Sequence, residues 1–252
     1  MTWSILARDP ATSFFGIAIA SKFFAVGAPC PWSLGGAGII STQALVNPEL
    51  GYKGLKLLES GDDANATLDQ LINADEGRDQ RQLHVMDWQR RAAAHTGKAC
   101  IDWCGHTAVR DFSVAGNMLS GPAVIQETIR SYRQAISEDF VERLLLAMEA
   151  GEAAGGDQRG KQAAAILIQG PEPFARLSLR VDDHEDPLAE LRRLADAAKE
   201  RSIAFGAVAY PNAAHPHGIH DRDVINTVCE RDAGKPLATS VEMPTNDPPP
   251  SQ

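Results

Sequence analysis

Thr2-Trp3-Ser4-Ile5-Leu6-Ala7-Arg8 and Phe14-Phe15-Gly16-Ile17-Ala18-Ile19-Ala20-Ser21 are two apolar runs separated by Asp9-Pro10-Ala11-Thr12-Ser13. Apolar runs of this length around a turn-forming cluster spell a β-hairpin. Neither run alternates cleanly between apolar and polar residues, so both faces of the sheet are expected to be covered. With Arg8 opposite Phe14, antiparallel pairing sets Thr2 opposite Ala20, within a residue or so, and brings Ser21 and Lys22 beside the start of the chain. Thr2 follows a removable Met1. Loss of Met1 would leave a hydroxyl and a free α-amine on one residue, a nucleophile carrying its own base. A Met-Thr start is common and proves nothing alone, so the rest of the chain has to decide.

Outward from the hairpin, residues 37–43 form a third strand after Gly35-Gly36 and end in Ser41-Thr42-Gln43. Helical spacing follows over 51–59 (Leu55, Leu58) and over 63–73 (Leu68, Leu71, Ile72), the latter with Asp62 or Asp63 as its N-cap. Residues 82–88 and 91–96 suggest another hairpin, and 97–120, with its glycines, reads as loop. Two further helices are expected over 122–134 and 138–151, then strands over 163–169 and 176–181, and a helix over 188–199. Residues 205–210 suggest an edge strand, and 244–252, with four prolines, a disordered tail. Hairpins and helices that come in blocks make an α+β chain. The regular alternation of a doubly wound fold is missing, as are phosphate-loop and GxGxxG fingerprints. The division expected is a main domain over 1–200 and a C-terminal extension over 201–252.

The chain has 252 residues, 44% hydrophobic and 23% charged, which is ordinary for a globular protein with a sizeable core. A net charge of -9 argues against nucleic-acid binding and supplies no polybasic membrane anchor. No stretch is long and apolar enough to span a bilayer, and Arg8 and Asp9 come too early for a signal peptide. A cytoplasmic location is therefore expected. The four irregularly spaced cysteines are then reduced thiols, and Cys100 and Cys104 fit no redox or zinc spacing.

Several ordered segments resemble one bacterial family: residues 2–8, Ala20-Ser21-Lys22-Phe23-Phe24-Ala25-Val26-Gly27, Thr42-Gln43-Ala44-Leu45-Val46-Asn47-Pro48, Ala94-His95-Thr96-Gly97, Gly116-Asn117-Met118-Leu119, residues 154–162 and Leu179-Arg180-Val181-Asp182-Asp183-His184. They are similar to the domain of unknown function 1028, which is grouped with the N-terminal-nucleophile (Ntn) hydrolases, over roughly residues 1–200. The resemblance implies a four-layer αββα sandwich of two antiparallel sheets, with the nucleophile as first residue of the mature chain at a strand end. In secreted relatives this threonine follows a signal-peptide cleavage site. The resemblance brings no established substrate.

On this basis Thr2 is the candidate nucleophile of an amidohydrolase. Lys22 is a candidate cation beside it, or else a solvated lysine closing a strand. Asn117, in a Gly-flanked loop, is a candidate oxyanion donor or ordinary turn chemistry. Ser21, Thr42, Gln43 and Asn47 are polar groups at strand ends that face the same region. Asp157, Arg159 and Lys161 make a polar loop that either binds a substrate carboxylate or the N-terminus, or forms a helix cap and salt-bridged turn. His95 is read as structural. Asp182 to Asp186 reads as helix capping rather than a metal cluster, and His215, His217, His220 and Asp221 match no closed zinc motif. No metal and no cofactor are expected. The expected partners are a small-molecule amide and a second copy of the chain in a homodimer. The alternative is a non-catalytic ligand-binding or interaction protein on the same fold.

Overall fold

The computed structural model describes residues 2–238; Met1 and the tail expected over 244–252 lie outside the described residues. The chain divides into two compact units, Met1–Leu194 and Ala195–Gln252.

In the first unit the opening hairpin is β1 (Thr2–Arg8) and β2 (Phe15–Ser21), both buried almost throughout. The Asp9 carboxylate accepts from the Thr12 N–H and hydroxyl, and the Asp9 N–H donates to the Phe14 carbonyl at 2.8 Å. This closed turn absorbs Phe14. Arg8 therefore pairs with Phe15 and Trp3 with Ala20, one residue off the register expected from sequence. The shift carries Ser21 to the level of Thr2.

Next come β3 (Pro31–Leu34), which the sequence reading passed over, and β4 (Gly38–Ala44). Helix α1 (Pro48–Glu59) is N-capped by Asn47, and α2 (Ala64–Ala74) by Asp63, whose side chain accepts from the Ala66 N–H. The hairpin of β5 (Arg81–Asp87) and β6 (Ala92–Thr96) follows as expected. A further hairpin, β7 (Gly105–Val109) and β8 (Phe112–Asn117), occupies the segment expected to be loop. Its glycines are there for packing. A Cβ on Gly116 would lie 2.5 Å from Leu119 Cδ1, and one on Gly105 would lie 2.7 Å from the Trp103 ring.

Helices α3 (Ala123–Gln134) and α4 (Phe140–Ala153), strands β9 (Ala163–Gln169) and β10 (Ala175–Val181), and α5 (Pro187–Glu200) complete the series as expected. The Asp186 carboxylate accepts from the Ala189 N–H at the start of α5, in keeping with the capping reading.

The strands form two antiparallel sheets, β10-β9-β2-β1-β8-β7 and β3-β4-β5-β6. The sheets face each other; α3 and α4 lie on the outer face of the first, α1 and α2 on that of the second. This is the αββα sandwich of the expected α+β class.

In the second unit, α6 (Ser202–Ala209) stands where an edge strand over 205–210 was expected. Its sequence is apolar all round, and such a run has no period that separates strand from helix. Ala204 and Val208 of α6 pack with Ile225, Val228 and Cys229 of α7 (Arg222–Arg231). Asp221 of the histidine-rich segment is the N-cap of α7, accepting from the Asp223 and Val224 N–H groups.

Candidate functional site

Side chains alternate along a strand, so one face of β1, β4, β5 and β8 lines the space between the sheets. On β1 these are Thr2, Ser4 and Leu6; across from them stand Ile39, Ser41 and Gln43 of β4 and Gln82, His84 and Met86 of β5. On β8, Ser113, Ala115 and Asn117 pair with Leu6, Ser4 and Thr2. The polar members gather at the Thr2 end.

Thr2 is only 5% exposed. Its hydroxyl donates to Ser21 Oγ at 3.1 Å. Its carbonyl accepts from Asn117 Nδ2 at 3.3 Å and, at the limit of hydrogen bonding, from Gln43 Nε2 at 3.5 Å. Asn117 also donates to Gln82 Oε1 at 2.9 Å, which uses both of its amide hydrogens. Asn117 is therefore the last residue of a strand, opposite Thr2, and not the loop residue expected from its glycine neighbour.

Behind Thr2 the bonds continue inward. Gln43 Nε2 donates to Gln82 Oε1 at 2.8 Å, and Gln43 Oε1 accepts from the Ser4 hydroxyl at 2.6 Å. Ser4 Oγ lies 2.8 Å from His84 Nε2, and Ser113 Oγ lies 3.0 Å from His84 Nδ1. With its proton given to Gln43, Ser4 must accept from His84, which places the imidazole proton on Nε2 and leaves Nδ1 to accept from Ser113. Burial pushes the His84 pKa down to about 3, and His106 adds to the effect, so the ring is neutral at ordinary pH. Gln82 Nε2 reaches the Gly116 carbonyl at 2.8 Å and Thr96 Oγ1 at 2.9 Å. Each of these polar side chains thus has at least one partner, as burial between two sheets requires.

The remaining candidates lie around this centre. Lys22 is exposed: its N–H donates to Asp157 Oδ2 at 2.7 Å and its ammonium to the Lys161 carbonyl at 3.0 Å. Asp157 is buried and also accepts from the Arg159 N–H at 2.8 Å. The Arg159 guanidinium closes on the same carboxylate at 3.3 Å, and Lys161 stands between Glu152 and Asp186 at 3.6 and 3.5 Å. Thr42, on the opposite face of β4 from Gln43, bonds to the Asn47 carbonyl at 3.2 Å, and Asn47 caps α1. The structure therefore gathers Thr2, Ser21, Gln43 and Asn117 directly, joins Asp157, Arg159, Lys161 and Lys22 in a flanking loop, and assigns Thr42 and Asn47 to the start of a helix.

Sequence reasoning missed Ser4, Ser41, Gln82, His84 and Ser113. A signal existed: Thr2/Ser4, Ser41/Gln43 and Gln82/His84 are polar residues two apart, which places each pair on one face of its strand. Among the described residues no group of three or more His, Cys, Asp or Glu side chains is arranged to hold a metal ion.

The profile of DUF1028, described as a family of unknown function, matches residues 2–191. The chain belongs to this family. Protein SPO2555 from Silicibacter pomeroyi, a solved DUF1028 structure, is 31% identical, with a TM-score of 0.80 over 88% of this chain and 96% of that chain. The ancestral beta-subunit (Anbu) from Yersinia bercovieri superposes far more loosely, with 11% identity and a TM-score of 0.37 over 76% of this chain and 92% of that chain. No curated protein matches the chain.

Proposed function

We propose that the protein is an Ntn-type amidohydrolase that cleaves a small amide through Thr2 once Met1 has been removed. The observation that carries this reading is the setting of Thr2. It ends β1, between β2 and β8 of the first sheet, with its hydroxyl on Ser21 and its carbonyl held by Asn117. Loss of Met1 would put a free α-amine on this same strand-end residue beside its hydroxyl, which pairs a nucleophile with a base.

In the reaction, Thr2 Oγ attacks the amide carbonyl and its proton passes to the freed α-amine. That amine has an ordinary pKa of about 7.7–8.0 and can act as a base near neutrality. The proton goes on to the leaving nitrogen as the C–N bond breaks, leaving an ester on Thr2. Water then cleaves the ester and restores the hydroxyl. In this scheme Asn117 and Gln43 are positioning residues, since their amides hold the Thr2 backbone. Lys22, bonded to the Lys161 carbonyl, closes the rim beside Ser21. A cytoplasmic location and a homodimer belong to the same proposal, and sedimentation tests the second.

Intact-mass measurement establishes whether Met1 is lost, and an acyl-transferring probe then reads the nucleophile. Labelling of the processed protein but not of Thr2→Ala is expected. A processed protein that takes no label selects the competing reading, ligand binding without catalysis, which the engagement of both Asn117 amide hydrogens favours.

A further inference from the structure

A cavity of about 220 Å³ opens at the ends of β4 and β8, with Asn117 in its wall. Asn117 is the strand partner of Thr2, so the cavity lies one strand pairing from the proposed nucleophile. Its lining combines Ala44, Leu45, Ile101 and Met118 with Cys100, and Asn117 and Gln80 are its polar members. Among the described residues no charged side chain lines it.

Two features mark it as more than a packing gap. Leu45 and Ile101, both in its lining, are 54% and 61% exposed, so the cavity offers aliphatic surface to an incoming apolar group. Ala44 and Met118, both in its lining, take left-handed backbone conformations with φ of 68° and 52°. Strain of this kind in non-glycine residues gathers at binding sites. Burial also raises the Cys100 thiol, which keeps this wall neutral near pH 7.

We infer that this cavity receives a small, uncharged, branched or short apolar group of the substrate, with Asn117 and Gln80 facing its single polar end. This rests on Thr2 being the nucleophile. The size and neutrality of the walls exclude carboxylate-bearing and cationic groups, because a charge entering there would lose its hydration without gaining a counter-ion.

The test is equilibrium binding to protein with a verified Thr2 terminus, using isobutyramide as the neutral apolar probe and succinamate as its charged counterpart. Isobutyramide is expected to bind at least about tenfold more tightly than succinamate. Met118→Trp, which fills the space, should abolish that binding without moving the melting temperature. Ile101→Asp at the exposed rim should weaken it as well, and serves where Met118→Trp proves unstable. Equal or tighter binding of succinamate, or unchanged isobutyramide binding in Ile101→Asp and in a folded Met118→Trp, overturns the inference. Thr2→Ala separates the two readings. Retained preference for isobutyramide in this variant supports the cavity, and hydrolysis that survives Thr2→Ala sinks the nucleophile alone.

Discussion

The space between the two sheets has two ends built by the same strands. At one end Leu6, Phe15, Ile17, Ile39 and Met86 pack without a polar side chain among them, and Phe15 stacks on Trp88 at 4.7 Å. At the other end the same strands present Thr2, Ser4, Ser21, Ser41, Gln43, Gln82 and His84, all buried. The apolar end holds the sheets together by removing hydrocarbon from water, which needs shape but little direction. The polar end contributes little net stability, because its bonds replace bonds to water, yet it is costly to leave any of them unmade. It supplies orientation instead. A chain of bonds from Ser113 through His84, Ser4, Gln43 and Gln82 ends on the buried pair at the strand ends, Asn117 and Thr2.

Truncating each end should separate these roles. Leu6→Ala at the apolar end is expected to cost about 2–5 kcal/mol in denaturant unfolding, with labelling of Thr2 little changed in the protein that remains folded. Ser4→Ala should cost less, about 1–3 kcal/mol, because it leaves His84 Nε2 without its partner and Gln43 Oε1 with the Ser41 hydroxyl alone. Its larger effect should fall on the rate of Thr2 labelling. If both variants lose stability and labelling in the same proportion, the division between a holding end and an orienting end is wrong.

Acid should act on the polar end through His84. Its folded pKa of about 3 lies below the ordinary histidine value of 6.5, so between these limits the unfolded chain binds a proton that the folded one does not. Stability is therefore full above pH 6.5 and falls by up to about 1.4 kcal/mol per pH unit as the pH drops towards 3. His84→Gln should flatten the stability curve measured by denaturant titration in that range, and an unchanged slope would show that His84 does not govern it. The smallest effect sets a baseline outside both ends. Asp63→Ala, which removes the cap of α2, should cost about 1 kcal/mol and leave labelling and acid slope as they were.

Much of this layout is legible in the sequence. The opening hairpin, the helix blocks and the candidates Thr2, Ser21, Gln43 and Asn117 follow from apolar runs, turn residues and family resemblance. The errors have local causes. Gly105 and Gly116 look like loop residues because glycine marks turns, whereas here they admit Trp103 and Leu119 against extended backbone. The register slipped by one because the Asp9 carboxylate ties the turn tightly enough to take in Phe14.

By itself the sequence determined the opening hairpin, an acidic cap for α2 at Asp62 or Asp63, and the place of Thr2 at the head of a buried strand. These depend on neighbours within a few residues. Which polar groups meet was decided only by the tertiary structure. Ser4 and His84 are eighty residues apart and share a hydrogen bond because two sheets face each other in one register. A one-residue shift in either sheet would turn every one of those side chains to the opposite face, and no local pattern records that choice.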